Sequence, residues 1–200
     1  MHGTQKVGKH WRNRGDKAQR ELCKTCQSTE SMEHILLHCQ APPTRIIWSL
    51  AKDLWPHEQS LWPEINLGII LGCGTITLPS TNPPQVPAPG ENTEPRTKTQ
   101  GTGRLLQILL SEAAHLIWVL RCERTIPDPP KEHTAQEITA RWYRVINTRL
   151  TEDKLAATKI KRNDQAISTA RETWEPVLKR SLAIPNDWLH NREVLVGIRS

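Results

Sequence analysis

Four residues near the start of the chain are of the right types and spacing to hold a metal ion. Cys23 and Cys26 are separated by two residues, His34 follows after seven more and Cys39 after another four, giving C-x2-C-x7-H-x4-C. Two residues between cysteines let both sulfurs reach one tetrahedral ion at about 2.3 Å. Three soft thiolates with one imidazole form a common ligand set for structural Zn²⁺, an ion with no redox chemistry of its own. Four protein ligands leave no open position for water or substrate, so the expected role of the ion is structural and not catalytic.

The fourth ligand has a rival. His34 and His38 are four apart and share one face of an ideal α-helix, whereas Cys39 lies about 140° around it from His34. A Cys2His2 site therefore has a geometric argument. Against it, the gap between the cysteine and histidine pairs in that class is usually about 12–15 residues. Pro42 also follows Cys39 closely, so the last turn can unwind. Cys39 is the preferred ligand and His38 the alternative. A redox role for Cys23-x-x-Cys26 would need a βαβ context, and the sequence offers none.

The surrounding charge is basic. The 200 residues carry a net charge of +6, and Lys6, Lys9, Arg12, Arg14, Lys17 and Arg20 crowd ahead of Cys23. Residues 141–180 hold ten Lys or Arg against five Asp or Glu. A basic balance favours nucleic acid or another anionic surface as partner. The best candidate residues are Lys9, Trp11, Arg12 and Arg14, next to the cysteine pair. Trp142 among Arg141, Arg144 and Arg149 could stack on bases, but its helical spacing favours the core.

The elements that must position these groups read as mainly α, in three parts. Residues 1–72 form a small zinc-stabilised helical domain, too short to be secure on burial alone. In it, 42–55 reads as a helix opening on Pro42 and Pro43. Ile65–Leu71 is open between helix and strand, with helix preferred. Residues 73–101 form a linker rich in Pro and Thr, with six prolines between 75 and 101 and almost nothing to fill a core. Residues 102–200 form a helical carboxyl-terminal region. Leu105, Leu106, Leu109, Leu110, Ala113, Leu116, Ile117 and Leu120 recur at helical spacing up to about Arg124. Thr134 with Glu137 makes a capping box for a helix through Leu150, and a more polar helix follows over 151–172. The stretch 193–198 is a short strand or an extended end. Cys73 and Cys122 sit in apolar surroundings and read as buried core. Eight Trp against one Tyr and no Phe make tryptophan the main aromatic filler.

The motif also carries a resemblance. His10-Trp11, Cys23-x2-Cys26, the run Glu30-Ser-Met-Glu-His34-Ile-Leu-Leu-His-Cys39, and Ile47-Trp48 together resemble the zinc-binding domain on the carboxyl side of reverse transcriptase polyproteins from LINE-like, non-LTR retrotransposons. Leu105–Arg124, Arg141-Trp142 through Asn147-x-Arg149-Leu150, and Thr173-Trp174 resemble the tail that follows it in fungal elements. The resemblance implies zinc held by Cys23, Cys26, His34 and Cys39, and assistance in contacting RNA or DNA. The chain departs from a full element: it has no Tyr-x-Asp-Asp polymerase motif and no set of acidic residues for RNase H. It is expected to be a detached carboxyl-terminal remnant, and not an enzyme.

No Gly-rich phosphate loop or Gly-x-Ser-x-Gly elbow is present. The first ten residues lack the apolar centre of a signal peptide. The apolar stretch 104–122 contains Arg104, Glu112 and Arg121, which argues against a membrane span. Clustered cysteines fit a reducing compartment, nucleus or cytosol, better than a disulfide framework. The alternative to a nucleic-acid module is a helical scaffold or interaction element in which zinc only holds the fold.

Overall fold

The apolar series after residue 102 builds the centre of the molecule. In the computed structural model, which describes residues 6–78, 99–127, 129–159, 164–178, 187–191 and 194–197, this series lies on a long helix, α3, over Thr99–Thr125. Burial extends around more than one face of α3: Leu105, Leu106, Leu109, Leu110 and Leu120 are at most 1% exposed, and Ile108 and Ala114 are buried as well. A helix buried on several sides is a core helix. α3 is long and apolar enough to cross a membrane by length and composition, but here those residues pack against other parts of the chain.

Around α3 lie α1 (Pro42–Asp53), α4 (Ala135–Lys159) and α5 (Asp164–Trp174), with the one-turn helix α2 (Leu67–Leu71) beside it. α1 starts on Pro42 and Pro43, whose missing N–H groups cost nothing in a first turn. α2 is helical, as preferred from sequence, because Asn66 Oδ1 accepts from the Ile69 N–H at 2.9 Å. On α4, Ile138, Trp142, Ile146 and Leu150 recur every fourth residue and are 0–1% exposed, so Trp142 is core. The cap of α4 is half of the expected box. Thr134 Oγ1 accepts from the Glu137 N–H at 3.1 Å, while the Glu137 carboxylate turns instead to Lys131 and His133. Among the described residues there is no strand, only the isolated bridges Leu22–Thr29 and Leu178–Val196.

Three readings are corrected. α4 does not end near Leu150 but runs on to Lys159, since Thr151–Lys159 is rich in good helix formers and holds no Gly or Pro. α5 begins at Asp164, and residues 160–163 lie outside the described residues. The segment read as a linker over 73–101 is ordered at both ends. Cys73, Ile76 and Leu78 pack on the core, and α3 begins at Thr99; residues 79–98 lie outside the described residues. Cys73 and Cys122 are half-buried, not fully buried. The described residues before 79 and after 98 share one core: Ile35, Leu36, Ile47 and Leu50 join the same cluster as α3, α4 and α5.

Polar anchors hold the periphery. Asp153 on α4 accepts from Arg104 Nη2 at 2.7 Å and from Trp174 Nε1 at 2.6 Å, locking α3, α4 and α5 together. Lys154 Nζ donates to the carbonyls of Asn191 and Val194 at 2.8 and 2.9 Å and lies 5.7 Å from the Trp188 ring centroid. Asn147 Oδ1 accepts from the Val196 N–H at 2.8 Å. The described residues of the carboxyl-terminal stretch are thereby tied to α4, and Val196 also bridges to Leu178.

The contact between α3 and α5 is close enough to demand glycine. A Cβ on Gly101 would stand 2.3 Å from Glu172 Cβ and 2.6 Å from its carbonyl carbon, whereas one on Gly103 would meet nothing within 4 Å. Gly101→Ala should therefore destabilise by about 1–3 kcal/mol through overpacking. Gly103→Ala, two residues along the same helix, should stabilise by roughly 0.5–1 kcal/mol. Urea unfolding of both variants checks the pair; equal effects would deny the close approach.

Candidate metal centre

The cysteine pair sits in a tight turn of a short hairpin. The Leu22–Thr29 bridge closes it, with Cys23 N–H donating to the Ser28 carbonyl at 2.9 Å and Gln27 N–H to the Cys23 carbonyl at 2.8 Å. Gln27 takes the left-handed conformation at φ 56° that lets the chain turn back. The N–H groups of Thr25 and Cys26 point at the Cys23 sulfur, and that of Gln40 donates to Cys26 Sγ at 3.2 Å. Such donors stabilise thiolate.

His34 and Cys39 arrive on a turn of a different kind. Residues His34–His38 form a π-helical turn, started by Ser31 Oγ accepting the His34 N–H at 2.9 Å. It closes with the Cys39 N–H donating to the His34 carbonyl at 2.7 Å, a five-residue spacing. The wider turn removes the objection raised by an ideal α-helix. Ile35 and Leu36 go into the core at 2% and 1% exposure, and Cys39 comes round to the side of His34. His38 is left outside, its side chain 66% exposed and beside Glu33. The ring of His38 is not part of the cluster.

The four ligand atoms of Cys23, Cys26, His34 and Cys39 all lie within 4.8 Å of one another. Cys39 Sγ is 3.7 Å from Cys23 Sγ and 4.0 Å from Cys26 Sγ. A tetrahedral ion with Zn–S bonds of about 2.3 Å requires sulfurs about 3.8 Å apart, so the spacing fits. The imidazole supplies a second test. His34 Nδ1 is 3.3 Å from Ser28 Oγ, while Nε2 is buried with no hydrogen-bond partner among the described residues. A buried nitrogen without a partner is costly unless something fills its lone pair. With the proton on Nδ1 facing Ser28, Nε2 is the ligand atom, and Ser28 sets the tautomer as metal-bound histidines require.

Burial sets the electrostatics. Desolvation lowers the His34 pKa, which keeps the ring neutral and able to ligate. The Cys39 thiol is pushed up to about 11, chiefly by burial and further by the neighbouring Cys23 sulfur. Burial also opposes ionisation of Cys23, but hydrogen bonds from the Cys26 and Thr25 N–H groups outweigh it and hold that thiol below the usual value. Three thiolates gathered this closely repel one another unless a cation joins them. Metal binding must therefore release protons and weaken as pH falls. Three thiolates with one Zn²⁺ leave negative charge on the centre, and Arg124 from the end of α3 lies against it. Its Nη1 donates to Thr25 Oγ1 at 3.2 Å, and its side chain also donates to Cys39. Neither Ser28 nor Arg124 was marked by the sequence motif; Arg124 lies far along the chain, and only packing brings it here.

The basic segment is placed with less freedom than its sequence suggests. Gly8 at φ +52° lies against the Glu30 carbonyl, where a Cβ would come within 2.0 Å of the oxygen. This pins the segment to the hairpin. Lys9 and Arg14 are exposed. Arg12 donates to Glu21 Oε1 at 2.7 Å. Trp11 is half-buried, its Nε1 donates to the Lys6 carbonyl at 2.8 Å, and the Arg20 guanidinium lies 5.4 Å from its ring centroid.

Comparison with protein-family models, curated proteins and solved structures finds no match, and no family is assigned. The chain has a mainly α fold with a Cys3His cluster able to bind a metal ion such as zinc.

A graded series of variants checks the ligand set. His38→Ala should leave zinc affinity unchanged. Ser28→Ala should weaken it roughly 10- to 100-fold, as loss of a group supporting a ligand does. Cys39→Ser should weaken it more than that. Competition against a chromophoric chelator orders the three, and loss on His38→Ala with retention on Cys39→Ser would make the site Cys2His2.

Proposed function

We propose that this chain is a non-catalytic, structural-zinc nucleic-acid-binding module of the kind found beside retrotransposon reverse transcriptases, working in a reducing compartment of the cell. The observation that carries it is the cluster of Cys23, Cys26, His34 and Cys39, with its three sulfurs at tetrahedral spacing and one imidazole nitrogen buried without a partner. Zinc there would fasten the hairpin. The hairpin in turn holds the basic segment through Gly8 and Glu21. The ion's own ligand set is anionic, so the flanking cations must do the attracting. Support for the retrotransposon type rests on the sequence resemblance alone.

If four to six cations meet phosphates, single-strand binding should fall with a log–log salt slope of about −3 to −4, at roughly −0.7 per contact. Because Arg12 is held by Glu21, Lys9 and Arg14 carry the larger share. Lys9→Ala with Arg14→Ala should flatten the slope by about 1.4 while zinc content stays the same. A second reading has its own support: Arg12 and Trp11 are engaged within the protein, as a purely structural segment would have them. No salt-sensitive binding of RNA or DNA by the zinc-loaded chain at low ionic strength would establish that scaffold reading and reject the first.

A further inference from the structure

A groove of about 440 Å³ opens on the other flank of the hairpin. One wall is the 3-10 turn Gly15–Glu21, another is the hairpin from Leu22 to Thr25, and the third is the end of α3 with residues that follow it. Its lining combines two features seldom left to solvent together. Leu22 and Ile126 are large apolar side chains 44% and 54% exposed, and Lys17 and Lys24 are exposed at the same groove. Arg20 and Arg124 also line it. Of the carboxylates present, Glu30 is neutralised by Arg121 at 2.7 Å, leaving Asp16 and Glu132 against four cations.

The groove is continuous with the basic segment. Arg20 is the joint: it lines the groove, donates to the Ile126 carbonyl at 3.1 Å, and lies over the Trp11 ring. Arg124 is the joint on the other side, since it reaches Thr25 within the metal-binding turn. The groove is thus assembled only when the turn is in place.

Resting on the nucleic-acid reading above, we infer that this groove is the seat of one or two nucleotides of a single strand. Phosphates meet Lys17 and Lys24, and a base lies against Leu22 and Ile126. A duplex hides its base faces and is too wide for a cleft of this size; an unstacked base offers an apolar face to match the two side chains. An acidic peptide would satisfy the lysines but would leave the apolar walls with nothing to cover.

The test uses the full, zinc-loaded chain and a fluorescein-labelled oligo-U of about twelve nucleotides, followed by anisotropy across a salt series. Lys17→Ala with Lys24→Ala should flatten the log–log slope by about 1.4. Ile126→Asp should weaken binding about tenfold, within the range for loss of one base contact. Leu22→Ser, on the opposite wall, repeats the test should Ile126→Asp disturb the fold. Arg45→Ala with Lys52→Ala, on the exposed side of α1, should change nothing. Salt-sensitive binding of oligo-U that all the groove variants leave intact would overturn the groove while sparing the nucleic-acid reading. Absence of any binding by the unaltered chain would remove both. Displacement of oligo-U by poly-glutamate at equal charge would also overturn it, since bases would then contribute nothing.

Discussion

Removing the metal should unfold the front of the molecule and leave its centre standing. The hairpin and the ligands have only a small cluster of their own, Cys23, Cys39 and Ala41 with Cys26 beside them. The main core gathers Ile35, Leu36 and the helices without them. Zinc in a site of this type supplies roughly 10–16 kcal/mol of apparent binding energy, comparable with the whole stability of an ordinary domain. Without it, the buried His34 Nε2 has no partner, and the basic segment loses the surface that Gly8 packs on. Cys26→Ser, or excess chelator, should therefore abolish amide protection across about residues 7–31, while protection in α3, α4 and α5 persists. Hydrogen exchange resolves the two regions. Undiminished protection in the hairpin of the metal-free chain would show that the metal does not hold it.

The second large effect is expected at Glu30 and Arg121. Glu30 is the residue after the hairpin and is 4% exposed; Arg121 on α3 is 6% exposed. Arg121 Nε donates to Glu30 Oε2 at 2.7 Å, and its guanidinium lies 5.5 Å from the Trp118 ring centroid. Burying two charges is costly, and the pair is tolerable because the opposite charges lie in direct contact. Arg121→Ala or Glu30→Ala leaves one of them stranded and should cost about 3–5 kcal/mol. In a chain of 200 residues that lowers Tm by roughly 6–20 °C. Replacing both together, as Glu30→Leu with Arg121→Met, should recover most of the loss, because the desolvation cost disappears with the charges. Thermal unfolding of the two single variants and the double variant measures it. Single-variant losses under about 1 kcal/mol would mean that the pair is wet.

Much of the architecture was legible because the signals were local. α3 followed from leucines at helical spacing, α1 from Pro42 and Pro43 at its start, and the first turn of α4 from Thr134. Where the reading failed, the deciding physics was not local. Nothing in the sequence marks the end of α4 near Leu150, so only the packed structure shows the helix running on to Lys159. Ile76 and Leu78 resembled linker because a lone pair of apolar residues after Gly74 has no periodicity; they pack against a core that the sequence does not display. The metal cluster was legible as a set of four residues, with Cys39 preferred over His38; what the sequence did not show was the shape of the turn that brings Cys39 round. A π-turn has no sequence signature. It forms because Ile35 and Leu36 must both be buried while His34 and Cys39 face the same point. The supporting Ser28 and Arg124 were invisible for the same reason, and so was the pairing of Arg12 with Glu21 that takes one cation out of the basic segment.

X-ray absorption at the zinc edge on the purified chain tests the centre most directly. Cys23, Cys26, Cys39 and His34 Nε2 predict three sulfur neighbours at about 2.3 Å and one nitrogen at about 2.0–2.1 Å, unchanged in His38→Ala. Two sulfurs with two nitrogens, or a shell containing water oxygen, would contradict a closed Cys3His site.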